Sequence, residues 1–160
     1  MLAANNFFVI TGGPSSGKTT LVETLKKKGY RGIDEAARII LQEEESRGGD
    51  VKAYRNTVEF TELEFQRSLA YYIQAHQENP HGLTFFDRGI PDIIAYARFR
   101  KIPISTALDD AARTYRYNKK VFIAPPWHEI YHADEERTES YTEATRLFHA
   151  IEKNVSRIWV

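Results

Sequence analysis

A glycine-rich segment near the N-terminus carries the most specific chemical signal in the sequence. Residues 12–19 read GGPSSGKT and fit the pattern G-x-x-x-x-G-K-[ST], which is typical of loops that bind phosphate. The glycines let backbone N–H groups turn inward around a polyphosphate, and the helix that follows adds the positive end of its dipole. The residues predicted to bind a nucleotide are Gly12, Gly13, Pro14, Ser15, Ser16, Gly17, Lys18, Thr19 and Thr20.

The sequence on either side of this segment fits the same chemistry. Residues 7–11 (FFVIT) are an apolar run typical of a short buried strand, and residues 20–26 have the spacing of an amphipathic helix. In a strand–loop–helix arrangement, Lys18 would reach the β- and γ-phosphates and the Thr19 hydroxyl would bind Mg²⁺. The alternative is a glycine-rich turn that precedes a helix by chance, and the flanks argue against it.

A third predicted strand, at residues 83–87, ends in an aspartate and is followed by an arginine. Ligands of parallel sheets collect at the carboxyl ends of the strands, so Asp87 is expected at the same edge as the glycine-rich loop. A carboxylate there could hold Mg²⁺ through water, whereas the alternative role for Asp87 is a helix N-cap. Arg88 could bind a phosphate or hydroxyl region of a substrate, or it could be an ordinary surface arginine.

Glu35 follows another predicted strand, at residues 30–34, and opens a helix. A carboxylate in that place could accept a proton from an attacking hydroxyl group. Arg38 lies one turn later on the same helix face and is a second candidate for contact with a substrate. The alternative is a first-turn glutamate that is favoured by the helix dipole and paired with Arg38 three residues later.

A charged stretch near the C-terminal end contains the candidate Arg137. The segment at about 128–141 lies between the last predicted strand and the last predicted helix, where a closing lid could bring a cation to a transferring phosphoryl group. The alternative is an exposed run of charges.

A competing motif lies at the start of the same stretch. His128, Glu129 and His132 match H-E-x-x-H, the zinc protease signature, with His149 or Glu152 as a possible third ligand. The motif directly follows Pro125-Pro126-Trp127 and precedes an acidic run, whereas such a site is normally carried by a buried helix. Surface histidines without a metal are therefore the favoured interpretation.

Short apolar strands alternate with helices along the chain, and this order predicts parallel β–α–β units in a three-layer α/β domain. The strands are expected at 7–11, 30–34, 83–87 and 120–124, and residues 46–50 are expected to be a loop. The predicted helices cover residues 17–28, 35–42, 57–78, 90–100, 105–115 and 142–154.

Length and charge narrow the classes of function. A chain of 160 residues is expected to be a single domain, 1–160, with a substantial core. The formal net charge is zero, so no nucleic-acid or membrane partner is predicted. The absence of cysteine excludes disulfides and thiolate metal sites and fits a cytoplasmic protein. No signal peptide and no membrane-spanning run is expected.

Several segments taken together support a family resemblance. The chain resembles the small bacterial P-loop proteins of the AAA type, is similar in layout to the ribosylnicotinamide kinase domain, and more distantly to deoxynucleoside kinases. The similarity covers roughly residues 7–153 and rests on residues 12–19, 35–38 (EAAR), 86–89 (FDRG), 122–127 (FIAPPW) and the segment around Arg137.

The resemblance implies a P-loop NTPase fold whose parallel sheet has the strand order 2-3-1-4-5. The fifth strand is expected to be short or missing, because only residues 156–160 are left for it. The resemblance also implies that Lys18, Thr19 and Asp87 bind ATP and Mg²⁺, that Arg137 belongs to a lid, and that Glu35 and Arg88 face the acceptor.

The predicted function is an ATP-binding phosphotransferase, a small-molecule, nucleoside-like kinase that transfers the γ-phosphoryl group to a hydroxyl. Lys18, Mg²⁺ and Arg137 would stabilise charge, while Glu35 or Asp87 activates the acceptor. The alternatives are a regulatory ATPase or GTPase module and, less favoured, a zinc hydrolase. ATP is preferred over GTP because the sequence contains no N-K-x-D string.

Overall fold

The computed structural model describes residues 2–131, 140–155 and 157. Its main sheet has four parallel strands, β2 (Phe7–Gly12), β3 (Arg31–Ile33), β4 (Thr84–Asp87) and β6 (Phe122–Ala124), in the order β3-β4-β2-β6. Numbered as the four predicted strands, this is the order 2-3-1-4, and the predicted α/β class with a parallel sheet is confirmed.

The helices are α1 (Lys18–Lys27), α2 (Ala36–Ser46), α3 (Val51–Tyr54), α4 (Val58–Glu78), α5 (Ile90–Arg100), α6 (Thr106–Thr114) and α7 (Tyr141–Asn154). A short 3-10 turn covers His128–Ile130. Local hydrogen bonds explain several of the helix starts, because the hydroxyls of Thr57, Ser105 and Ser140 each accept from the N–H three residues later.

The sheet separates two packed layers. Phe7 and Val9 of β2 and Phe86 of β4 join the large core that α4, α5 and α6 cover, and Tyr72 of α4 lies at its centre. The alternate strand positions face the other side, where Phe8 stacks on Phe85 with ring centroids 5.7 Å apart. Helix α1 covers part of that second face. The glycine-rich loop connects β2 to this helix.

Four elements differ from the prediction. Strands β1 (Leu2–Ala3) and β5 (Tyr115–Arg116) form a separate parallel pair, although residue 115 was expected to end a helix. Helix α2 runs to Ser46, four residues beyond its predicted end, and α3 forms just after the predicted loop. Hydrogen bonds accompany two of these differences: Ala4 N donates to Arg116 O beside the β1–β5 pair, and the side chain of Asp50 accepts from Ala53 N at the start of α3.

Within the described residues, no helix is both long and apolar enough to cross a membrane. The predicted fifth strand falls at residues 156–160, of which only residue 157 is described.

Candidate functional site

The loop between β2 and α1 contains two glycines with positive φ angles. Gly12 has φ 138°, and a Cβ atom there would lie 2.3 Å from the carbonyl oxygen of Ala124 on the neighbouring strand. Gly17, at the N-cap of α1, has φ 84°, and no side chain caps this helix end. Both residues need positive φ angles that L side chains rarely adopt. The first N–H groups of α1 are thus left for a ligand.

Lys18 is folded back over this loop. Its ammonium donates to the carbonyl oxygen of Gly13 at 2.6 Å and to the hydroxyl of Ser16 at 3.1 Å. Burial, and next the positive charge of Arg88, lower the pKa of Lys18 to about 8. Burial thus disfavours the charged form of Lys18. An anion bound in the loop would favour that form, because it would replace the contact with the Gly13 carbonyl by a contact between opposite charges.

Thr19 and Asp87 are in contact, as expected from the parallel register of β2 and β4. Ile10 of β2 lies beside Asp87 of β4, which places the carboxylate at the edge where the loop begins. The Thr19 hydroxyl donates to Asp87 Oδ2 at 2.8 Å, whereas Asp87 Oδ1 is buried without a hydrogen-bond partner. Burial, and next the negative charge of Glu35, raise the pKa of Asp87 to about 6.

Asp87 is not the helix cap that was considered for it. Gly89 is the N-cap of α5, and its N–H donates to Asp92 Oδ2 at 2.8 Å. The other oxygen of Asp92 accepts from the hydroxyl of Thr11. Asp92 was missed by the sequence analysis, although its place three residues after the cap is the usual one for an acidic capping residue.

Arg88 is buried and is not a surface arginine. Its Nη1 donates to the carbonyl oxygen of Gly12 at 2.8 Å, and its Nε donates to Glu35 Oε1 at 3.0 Å. The guanidinium also lies over the ring of Tyr96, with 4.8 Å between its carbon and the ring centroid. Arg88 has φ 70°, a strained value for a non-glycine residue that points its side chain back across the loop.

Glu35 is held in its charged form by this contact. Burial by itself would raise the pKa of the Glu35 carboxyl, but the positive charges of Arg88 and Lys18 outweigh it and keep the pKa below its ordinary value. The carboxylate lies at the N-cap position of α2, as the sequence predicted for a residue that opens a helix. Its ion pair joins residues 53 positions apart and differs from the considered pair with Arg38.

A pocket of about 370 Å³, counting its open part, adjoins this pair. It is lined by both charged and aromatic side chains, among them Glu35, Arg55, Phe60, Glu64, Arg88 and Tyr96. Burial, and next the charge of Glu35, raise the pKa of Glu64 to about 7. Arg38 lines a neighbouring pocket together with Pro14, Lys18 and Glu35. Glu64 was not predicted from the sequence, because polar residues on a long helix usually face solvent.

A family model for the AAA domain matches residues 7–159 of the sequence. The chain belongs to this family. A crystal structure of a NadR protein in complex with NR is similar in fold, with a TM-score of 0.64 and 17% sequence identity. That match covers 96% of this chain and 42% of the NadR chain, so this chain spans less than half the length of that protein. None of the curated proteins compared matches the sequence.

Membership of the AAA domain family, together with the phosphate-binding loop, indicates a nucleotide-binding protein. The α/β architecture with a parallel sheet of four strands is that of a P-loop NTPase.

Two predicted features of the segment at 128–141 lie outside the described residues, namely Arg137 and His132. His128 and Glu129 belong to the 3-10 turn, and both are exposed. His149 and Glu152 pair with each other on the surface of α7, with 3.4 Å between Nδ1 and Oε2. In residues 2–131, 140–155 and 157, no group of three or more His, Asp or Glu side chains could hold a metal ion.

Proposed function

We propose that this chain is an ATP-dependent small-molecule kinase, which transfers the γ-phosphoryl group to a hydroxyl of a nucleoside-like acceptor. The observation that carries the proposal is the buried Glu35–Arg88 pair, because it lies between the phosphate loop and a separate pocket. A protein that only hydrolyses ATP needs a water molecule beside the loop, whereas a kinase needs a second pocket for its acceptor. The NadR structure in complex with NR supports a small-molecule ligand on this fold.

The proposed step is an in-line displacement at phosphorus. The acceptor oxygen forms a bond to the γ-phosphorus while the bond to the β–γ bridging oxygen breaks, and ADP leaves with that electron pair. The acceptor proton passes to the carboxylate of Glu35, which the neighbouring cations keep ionised. Asp87 is the second candidate for this role.

Cations of the chain would balance the charge that develops on the transferred group. Lys18 would exchange its contact with Gly13 O for phosphate oxygens, which requires only a rotation of its side chain. Arg38 lines the pocket next to the loop and would contact the acceptor together with Arg88. Arg137 would approach from the predicted lid once the nucleotide is bound.

The residues at the end of β4 fit Mg²⁺. Asp87 Oδ1 is buried without a hydrogen-bond partner, and the oxygen of Thr19 lies 2.8 Å from Asp87 Oδ2. Hydroxyl and carboxylate oxygens are hard ligands of the kind that Mg²⁺ prefers, and Mg²⁺ usually keeps several waters. Thr19 and Asp87 would hold the ion, which when bound neutralises charge on the β- and γ-phosphates.

A two-stage experiment tests this function. The first stage is a thermal-shift screen of ATP, GTP and other nucleotides with and without Mg²⁺, and the second is a transfer assay with γ-labelled ATP and a panel of nucleosides and vitamins. We expect stabilisation by Mg–ATP and label transfer to a hydroxylated acceptor. Glu35→Gln should keep Mg–ATP binding and lower the transfer rate by about 10²- to 10⁴-fold. Label released only to water, at equal rates in both proteins, would instead indicate a regulatory ATPase.

A further inference from the structure

The phosphate loop has two unlike flanks. On one flank, Lys18, Glu35 and Arg88 line the charged pockets described above. On the other flank lies an open groove with about 1190 Å³ of empty space, solvent-exposed space included. This groove is lined on one side by Gly17 at the end of the loop and by Thr20 and Leu21 of α1. It is lined on the other side by Trp127, Glu129 and Ile130. We name it the Trp127 groove.

Its apolar side chains are unusually exposed for their size. Trp127 is 55% exposed and Leu21 is 45% exposed, and both face a groove that begins at the loop itself. Large exposed apolar side chains that line one concave surface mark a ligand site more often than a chance surface. The groove is continuous with the loop, so its occupant would touch whatever the loop binds.

Trp127 is held in place beside the loop by the turn that follows it. The carbonyl oxygen of Trp127 accepts from Ile130 N at 3.3 Å, which closes the 3-10 turn. The Ile130 side chain packs on the loop, because its Cδ1 lies 3.5 Å from the position that a Cβ atom would take at Gly17. The indole is therefore part of a short element that contacts the phosphate loop directly.

In a nucleoside triphosphate, the γ-phosphate and the base lie at opposite ends of the molecule, so they are expected on opposite flanks of the loop. The γ-phosphate must face Glu35 and Arg88, because the acceptor pocket adjoins them. The base and ribose are attached at the α-phosphate, so they leave the loop on the other side. That side is the Trp127 groove, and an aromatic ring there offers a surface on which any base can stack.

We infer that Trp127 stacks on the base of the nucleotide whose phosphates occupy the loop, and that Leu21 packs against the edge of the same base. This inference rests on the proposed function for the identity of the ligand, but it adds a nucleobase site that is distinct from the phosphate loop and from the acceptor pocket. Removal of a stacking aromatic costs roughly 1–3 kcal/mol per base, which corresponds to about 5- to 150-fold in affinity.

The experiment separates the base from the phosphates. The chain contains two tryptophans, Trp127 and Trp159, so a Trp159→Phe background leaves Trp127 as the sole indole reporter. Mg–ATP and Mg–tripolyphosphate, which has no base, are titrated into this protein and into its Trp127→Ala and Trp127→Phe variants. Fluorescence follows binding where the indole is present, and calorimetry follows it in all three proteins.

We expect ATP, but not tripolyphosphate, to quench the fluorescence of Trp127. Trp127→Ala should weaken ATP binding by about 10- to 100-fold and change tripolyphosphate binding by less than about twofold, while Trp127→Phe keeps most of the ATP affinity. Leu83→Ala is the matched control. Leu83 is also exposed, by 44%, but it precedes the amino end of β4, whereas the loop lies at the carboxyl ends of the strands. This variant should change neither affinity.

Three results would overturn the inference. Equal losses of ATP and tripolyphosphate affinity in Trp127→Ala would mean that the indole supports the loop rather than the base, and the proposed function would survive. Unchanged ATP affinity together with an altered oligomeric state in gel filtration would make the groove a protein interface. A wild-type protein that binds neither ligand would remove the proposed function and the base site together.

Discussion

Asp87 is a buried carboxylate whose second oxygen has no hydrogen-bond partner within the protein. Its pKa is about 6 because burial, and next Glu35, disfavour its charge. The native protein therefore holds this proton more tightly than the unfolded chain, and folding becomes less favourable as the pH rises from about 4 to about 6. Above about pH 6 the ionised Asp87 lowers the free energy of unfolding by its full amount, and a bound divalent cation would offset this loss.

Asp87→Asn should accordingly stabilise the ligand-free protein at pH 8 and abolish its Mg²⁺-dependent affinity for nucleotide. The gain in unfolding free energy should be on the order of 1–3 kcal/mol at pH 8 and should vanish near pH 4, where the wild-type carboxyl is neutral. Urea unfolding at the two pH values measures it. Asp109→Asn, at a surface carboxylate paired with Arg113, is the control and should show no such gain. An equal gain at pH 4 and pH 8 would contradict the electrostatic account.

The Glu35–Arg88 pair shows what the sequence could and could not predict at the scale of residues. Asp87 was predicted at the same edge of the sheet as the glycine-rich loop because it ends a strand, and Glu35 was predicted to follow a strand and open a helix. The ion pair between Glu35 and Arg88 was not predicted, because it joins two strand ends 53 residues apart and depends on the positive φ of Arg88. Nothing in a local pattern indicates that backbone conformation for an arginine.

At the scale of elements, the backbone of β6 closely limits the residue at the start of the loop. A Cβ atom at Gly12 would lie 2.3 Å from the carbonyl oxygen of Ala124, and the backbone of a parallel strand cannot move away without loss of its hydrogen bonds. Gly12 also has φ 138°. The glycine is therefore needed for both the turn and the close approach of the strand.

Gly12→Ala should destabilise the fold by about 3 kcal/mol or more and weaken nucleotide binding, because β6 and the loop must separate. Gly48→Ala is the matched control: Gly48 also has a positive φ, 78°, but a Cβ atom there would meet nothing within 4 Å. That variant should cost only about 1–2 kcal/mol and leave nucleotide affinity intact. Thermal unfolding and calorimetry compare the two, and equal effects on binding would argue against the steric explanation.

The order and type of the main elements followed from the sequence because long periodic helices and short apolar strands have clear signals. The pairing of Leu2–Ala3 with Tyr115–Arg116 did not, because two residues are too few for any alternation to be visible. Glu64 and Asp92 were missed for a related reason. Each is a polar residue on a helix. The packing of α5 buries Asp92, and α4 places the half-buried Glu64 in the wall of the pocket.

At the scale of the whole molecule, the phosphate loop lies between the pocket of Glu35 and Arg88 and the Trp127 groove. We propose the first for the acceptor and the second for the base. Closure of the segment at 128–141 over the loop stays a prediction, as does the role of Arg137. An arginine that meets the phosphoryl group mainly in the transition state should affect turnover more than nucleotide affinity.

Arg137→Ala should slow single-turnover transfer by about 10³-fold or more and change the Kd of Mg–ATP little, if the residue resembles an arginine finger. Arg113→Ala removes a surface arginine that pairs with Asp109 and serves as the control for loss of a positive charge. Rapid-quench kinetics with saturating Mg–ATP provides the rate. A wild-type rate in Arg137→Ala would exclude the lid role.

The most direct test of the central claim is a calorimetric titration of Mg–ATP into the wild-type protein and into Lys18→Ala. Lys18 donates hydrogen bonds to two groups of the loop itself, Gly13 O and Ser16 Oγ, so we expect its loss to change the unfolding temperature little. We predict Mg²⁺-dependent binding in the wild type and at least about 100-fold weaker binding in Lys18→Ala, since a buried charge-assisted contact to phosphate is lost. Equal affinities in the two proteins, or wild-type binding that ignores Mg²⁺, would contradict the assignment of this loop as the nucleotide site.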